Sequence, residues 1–231
     1  MLTVDGMAVE VTHKRIKNMY LRIDAIDGHI RVSCPMWAGD AEVTAFVRSK
    51  RLWLEKHRAR IDDRSASRLR ECVSGEELYL WGRTLPLEVV PGNRFKLDAD
   101  GDAAILTAPP TSSAEGRRTW LRNWYKKQVE QVCAGSVPAQ EIRMQLKCSG
   151  VTVRWMKSRW GSCSVESKTI RINSQLAKFP RECLEYVIIH ELAHIAVPNH
   201  GPAFQALMDK YCPDWHRIRR MLNERDFAFY E

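Results

Sequence analysis

The 231-residue sequence has no long apolar run: its uninterrupted hydrophobic stretches, such as Tyr186 to Ile189, are four residues long. A membrane-spanning helix needs about 20 such residues, so no membrane partner is expected. The amino terminus, MLTVDGMAVEVTHKR, has no apolar core of signal-peptide length, which points to a cytoplasmic protein. Closely spaced cysteines are missing too. The seven stand at positions 34, 72, 133, 148, 163, 183 and 212, never nearer than 15 residues apart. No CxxC pair exists, so a cysteine zinc knuckle is excluded, and an odd set of scattered thiols fits reduced side chains better than a disulfide framework. There is no internal repeat and no low-complexity tract.

What is present suits a globular chain. A hydrophobic share of 45% over this length can build a real core, as one domain or two small ones. Lys and Arg exceed Asp and Glu by 36 to 28, for a net charge of +8. Such a surplus is compatible with a nucleotide, a nucleic acid or another anionic partner. The basic residues are nevertheless dispersed in small groups, HKRIK, RSKR, EGRR and RIRR, and a solvated surface accounts for most of them.

Alternating apolar and polar residues over 9–34, with Asp27-Gly28 at a turn position, predict two or three strands. Residues 40–62 keep a helical period through Val43, Phe46, Val47, Leu52 and Leu54 after an Asp cap. EELYLWGRTLPLEVVPG and AAILTAP predict further strands, and PPTSSAEG at 109–116 is the clearest linker candidate. RRTWLRNWYKKQVEQVCAG then has helical amphipathicity. The expected organisation is α+β: an N-terminal β-rich module with one helix (1–116), followed by a catalytic domain (117–231).

The chemistry-bearing residues lie beyond position 150. VTVRWMKS and TIRINSQL predict paired strands around RWGSCSVESK. RECLEYVIIHELAHIAV then predicts a helix beginning near Pro180 and stopped by Pro198. His190 and His194 are four apart, so both imidazoles lie on one helical face and can supply two corners of a tetrahedral zinc site. Glu191, one step around, falls beside that metal rather than on it, where a carboxylate can take a proton from water. Pro198, Asn199 and Gly201 turn the chain back and bring His200 within reach as a third ligand. Three such ligands leave zinc a strong Lewis acid with one position open, and a bound water's pKa then falls to about 7. A histidine cluster serving only structure is the bland alternative, but an otherwise apolar helix is a costly place to bury three imidazoles and a carboxylate without partners.

RWMKSRWGSCS, IRINSQLAKFP, YVIIHELAH and NHGPAFQALM, in that order, resemble the YgjP-like metallopeptidase family, related to WLM and SprT-type zincins. The resemblance covers most of the chain, LYLWGR included. It implies a zincin-like catalytic domain with an HExxH active-site helix, zinc held by His190, His194 and His200, and Glu191 as the catalytic base. The same histidine spacing occurs in metzincins, but Val197 stands where they require glycine and no Met-turn is evident. SprT-type proteins usually add a cysteine ribbon, which this chain cannot form.

Two substrate classes follow. Zincins commonly bind an extended peptide along a strand beside the active helix, and TIRINSQL is the candidate strand. YgjP-like proteins have also been linked to nucleoside triphosphate pyrophosphohydrolysis, and guanidinium groups suit phosphates. Arg154, Lys157, Arg159 and Asn173 are therefore the candidate substrate-binding residues, although Arg154 and Lys157 would point to opposite faces of a strand. A nucleic-acid-associated adaptor with a degenerate metal site is the third reading. Trp155 and Trp160 are expected to pack in the core, Tyr211 and His216 are weaker candidates to support an oxyanion, and Cys163 is not expected to be a nucleophile.

Overall fold

The computed structural model describes residues 1–23, 29–52, 54 and 71–224. The expected Asp27-Gly28 turn lies outside them, as does most of the stretch that was to continue the first helix to residue 62. The chain divides into two compact units, Met1–Arg68 and Leu69–Glu231.

In the first unit β1 (Leu2–Val4), β2 (Met7–Lys14), β3 (Tyr20–Ile23) and β4 (Ile30–Pro35) form a sheet of order β1-β2-β4-β3. Helix α1 (Asp40–Ser49) buries Val43 and Val47, four apart on one face, in a core with Val9, Ile30 and Val32. Its N-cap is Gly39 rather than Asp40, and the Glu42 carboxylate accepts the Gly39 N–H at 3.0 Å.

The second unit opens with β5 (Glu77–Leu80), β6 (Arg83–Pro91), β7 (Lys96–Asp98) and β8 (Ala104–Ala108), in the order β5-β6-β8-β7. Helix α2 (Ala114–Met144) follows, N-capped by the Ser113 hydroxyl, which accepts from Gly116 N at 3.0 Å. The presumed linker at 109–116 is thus a helix entry, and it separates nothing. Leu85, Leu87 and Leu106 from the sheet and Tyr125 and Val129 from α2 share one core with Ile188 and Leu192. That shared core is why the units divide at 68/69 and not at 116/117.

A second sheet contains β9 (Gly150–Arg154), β10 (Gly161–Ser164) and β11 (Thr169–Asn173), in the order β10-β11-β9. Strand β11 runs parallel to β9 and antiparallel to β10. A 3₁₀ turn, Ser174–Lys178, leads into α3 (Arg181–Ala196), and α4 (Pro202–Tyr211) and α5 (Trp215–Glu224) follow. Trp81 and Gly82 form the two-residue β5–β6 loop with φ of 49° and 84°, as a type I′ hairpin turn requires. A Cβ on Gly82 would lie 2.8 Å from Pro180 Cγ, so glycine here also lets the hairpin close on the residue that caps α3. Among the described residues no helix is long and apolar enough to cross a membrane. Architecturally this is the mixed α+β chain the sequence predicts.

Candidate metal centre

Helix α3 is buried along most of its length, with Leu184, Ile188 and Leu192 inaccessible to solvent. It carries His190 and His194 four residues apart and ends at Ala196, two residues before Pro198. The 197–201 connection brings His200 back over the same helical face. One ring nitrogen from each of His190, His194 and His200 lies within 4.8 Å of the other two. The Nε2 atoms of His190 and His200 are 3.1 Å apart. Two corners of a tetrahedron with zinc–nitrogen bonds of about 2.0–2.1 Å stand at about that separation.

The hydrogen bonding suits a metal. His194 Nδ1 lies 3.3 Å from the Val197 carbonyl, and donating there leaves Nε2 as a lone-pair donor, the usual outer-shell arrangement of a ligating histidine. Among the described residues the buried His190 Nδ1 has no hydrogen-bond partner. Beneath the three imidazoles lies Phe204 on α4, its ring centroid 4.9 Å from His190 and 4.7 Å from both His194 and His200. An apolar floor of this kind limits how far the rings can rotate. Phe204 escaped the sequence reading, since a phenylalanine within a short helix is ordinarily a packing residue and nothing local shows what it packs against.

Burial, helped by the charges of His194, His200 and Arg219, pushes the His190 imidazole down to about 3. His194 is lowered as well, chiefly by burial. Both rings are therefore neutral at physiological pH, as a metal ligand must be. Glu191 is only 5% exposed. Burial raises its carboxyl to about 8, against which the Arg159 charge works.

These shifts make a prediction for chelator-treated protein. A carboxyl at about 8 in the fold and 4.5 when unfolded makes the folded state hold the extra proton between those values, so stability falls as pH rises through that window. His190 acts oppositely, with stability lost as pH falls below 6.5 toward 3. Glu191→Gln removes only the first slope. It should therefore raise the melting temperature of the chelated protein more at pH 8 than at pH 5. Equal differences at both pH values would show that Glu191 is ionised in the metal-free fold.

The remaining candidates part company. Asn173 is fully buried, and its side chain is spent on the 156–159 segment. Its Nδ2 donates to the carbonyls of Met156 and Arg159, both at 2.8 Å, and its Oδ1 accepts from Met156 N at 3.2 Å and Gln175 N at 3.1 Å. With those atoms engaged, Asn173 shapes the loop from inside and presents no surface to solvent. Arg154 ends β9 and Lys157 lies in the loop beyond it, both exposed. Arg159 is the one of the three basic residues whose charge acts on Glu191.

Trp160 packs edge-on against Phe179 at 4.9 Å, as expected of a core residue. Trp155 lies under the Lys178 ammonium at 4.7 Å and the Arg122 guanidinium at 5.4 Å. The Tyr211 carbonyl accepts from Arg143, and His216 stacks on Trp215 at 3.6 Å. The tyrosine beside His190 is instead Tyr186, its ring centroid 5.7 Å away. Burial first, then the Glu191 charge, pushes the Cys163 thiol upward, which makes it a poor nucleophile.

The expected substrate strand needs correction. Strand β11, within TIRINSQL, is the middle strand and pairs on both sides, so it has no edge to offer. The edge strands are β9 and β10, and β10 is the one whose Gly161 lies against Glu191. The Trp160 carbonyl accepts the Asn173 N–H at 2.8 Å and so points toward β11. Backbone direction alternates along a strand, which aims the N–H and C=O groups of Gly161 and Cys163 at the open edge.

The family model for the YgjP-like, metallopeptidase domain matches residues 17–225, and the chain belongs to that family. An uncharacterized protein of Methanocaldococcus jannaschii is 34% identical over 64 residues, covering 26% of this chain and 58% of the relative. The chain thus spans little more than half the length of that curated relative. Among solved structures, the metallopeptidase zymogen jannalysin of the same organism aligns at 27% identity over 38% of this chain and 91% of its own, with a TM-score of 0.35. The metallopeptidase zymogen abylysin of Pyrococcus abyssi aligns at 22% identity over 42% and 93%, with a TM-score of 0.36.

Proposed function

We propose that this chain is a zinc-dependent metallopeptidase of the zincin type, in which His190, His194 and His200 hold the ion and Glu191 is the general base. What carries the reading is the convergence of three histidine nitrogens within 4.8 Å beside a buried carboxylate, in a chain of metallopeptidase family. Zinc, when bound, acidifies a water molecule and polarises the scissile carbonyl. Glu191 accepts the proton that water loses on attack and returns it to the leaving amine. A cation held by the three histidines would lower the Glu191 carboxyl from the raised value that burial gives it, which would suit it to that exchange. An extended peptide adds to the edge of β10, and its backbone bonds to Gly161 and Cys163 place a carbonyl near the three histidines.

Incubating zinc-loaded protein with a peptide library and, separately, with nucleoside triphosphates tests this directly. Peptide cleavage that stops on chelation and returns with zinc supports the proposal. Arg159 sharpens the choice, because it alone of the basic candidates acts on Glu191. A peptide held through backbone groups needs little from its charge, so Arg159→Ala should lower peptide turnover less than tenfold. A phosphate substrate would lose a charge-assisted contact worth ~1.5–3 kcal/mol, or about ten- to a hundredfold in kcat/KM. Pyrophosphate release from nucleotides that Arg159→Ala abolishes, with no peptide cleaved, would replace the peptidase reading with a nucleotide pyrophosphohydrolase.

A further inference from the structure

The Glu191 side chain lies against the backbone of the edge strand. A Cβ built on Gly161 would stand 2.5 Å from Glu191 Oε1, 2.8 Å from Cγ and 2.9 Å from Cδ. Real Cβ contacts do not come so close, and three successive atoms of the carboxylate arm are involved rather than its tip alone. Neither partner has room to retreat. Glu191 is buried on a helix whose neighbouring turns are packed through Ile188 and Leu192. Strand β10 is held along its length by β11, and the residue before Gly161 is bonded to Asn173, which also clamps the loop leading into the strand.

We propose that Gly161 is the positioning residue for Glu191: its missing side chain is the space in which the carboxylate arm lies, and the bare strand backbone is the wall that directs the carboxylate toward the histidine cluster. Any side chain at 161 would push Glu191 off the line on which it meets the attacking water. Misplacement of about 1 Å at such a site costs on the order of a hundredfold in rate. The need for glycine here is one of space and not of backbone conformation, since Gly161 is not among the residues with positive φ.

The proposal rests, for its catalytic part, on Glu191 being the base; its packing part does not. Both are read with Gly161→Ala. The variant should retain about one zinc per chain and bind a cleaved peptide with KM within threefold of wild type, while kcat falls at least about thirtyfold. A general weakening of the fold would not separate kcat from KM and zinc in this way. The packing is read by melting temperature in two backgrounds. Overpacking destabilises, so Gly161→Ala should lower the midpoint by about 2–4 °C or more. In a Glu191→Ala background the new methyl group enters vacated space, and the same change should cost about 1 °C or less.

An equal loss of midpoint in both backgrounds would overturn the proposal, as would wild-type kcat in Gly161→Ala or loss of its zinc. If Gly161→Ala alone does not fold, recovery of a folded, zinc-containing protein in the Gly161→Ala, Glu191→Ala double variant supports it, and failure of the double variant overturns it. Should Glu191→Gln prove fully active while the two backgrounds still differ in midpoint, the assignment of the base fails and the packing stands.

Discussion

Purified protein is expected to carry about one zinc per chain, and His190→Ala or His194→Ala to lose both the ion and at least about a thousandfold in hydrolysis. The two residues offer nitrogens from successive turns of a buried helix, and with a nitrogen of His200 these lie within 4.8 Å of one another. Removing either leaves two donors, too few to keep zinc four-coordinate with an open position. His200→Ala should weaken zinc retention less. His200 sits in an exposed connection, outside the buried helix that carries the other two donors. Because metal bound to the folded state alone adds stability by mass action, chelation should lower the melting temperature of wild type and leave that of His190→Ala unchanged. Elemental analysis that finds no divalent metal in wild type even after zinc addition would refute the assignment.

Glu191→Gln is expected to keep the zinc and the fold while hydrolysis drops by at least about a hundredfold. The amide has the shape of the carboxylate and fits the same space against Gly161, so nothing in the packing has to move. It cannot take a proton from water, which removes the general-base contribution of about 10²–10⁴. Equal losses in kcat and kcat/KM, with KM unchanged, would mark an interaction made in the transition state alone. Loss of zinc together with activity would mean that Glu191 is itself a ligand, and the roles proposed for the site would have to be exchanged.

Where sequence and structure diverge, the divergence follows the range of the interaction. The helix carrying His190 and His194 was legible because a proline at the entry and a proline at the exit of an apolar run are local signals, and α3 runs from Arg181 to Ala196 as they require. The return of His200 was legible for the same reason, since a short turn rich in Pro, Asn and Gly has few ways to go. Residues 109–116 were misread as a boundary because Pro, Ser and Gly mark a helix entry as readily as a linker, and only the core shared by Leu87, Leu106 and Tyr125 distinguishes the two. Asn173 illustrates the same limit: its residue type suits a substrate contact, while its three hydrogen bonds to positions 156 and 159 depend on how the loop before β10 folds over it.

The amino-acid order by itself determined the spacing of two histidines and a glutamate on one helix, the third histidine beyond its end, and the absence of any cysteine site to compete for zinc. Those features depend on helical geometry and on counting. Tertiary structure alone decided that β10 and not β11 is an open edge, that Phe204 floors the three imidazoles, and that the Glu191 arm rests against the bare backbone of Gly161. Strand order and side-chain contact join residues tens of positions apart, and no local period records which distant backbone will lie beside a given carboxylate.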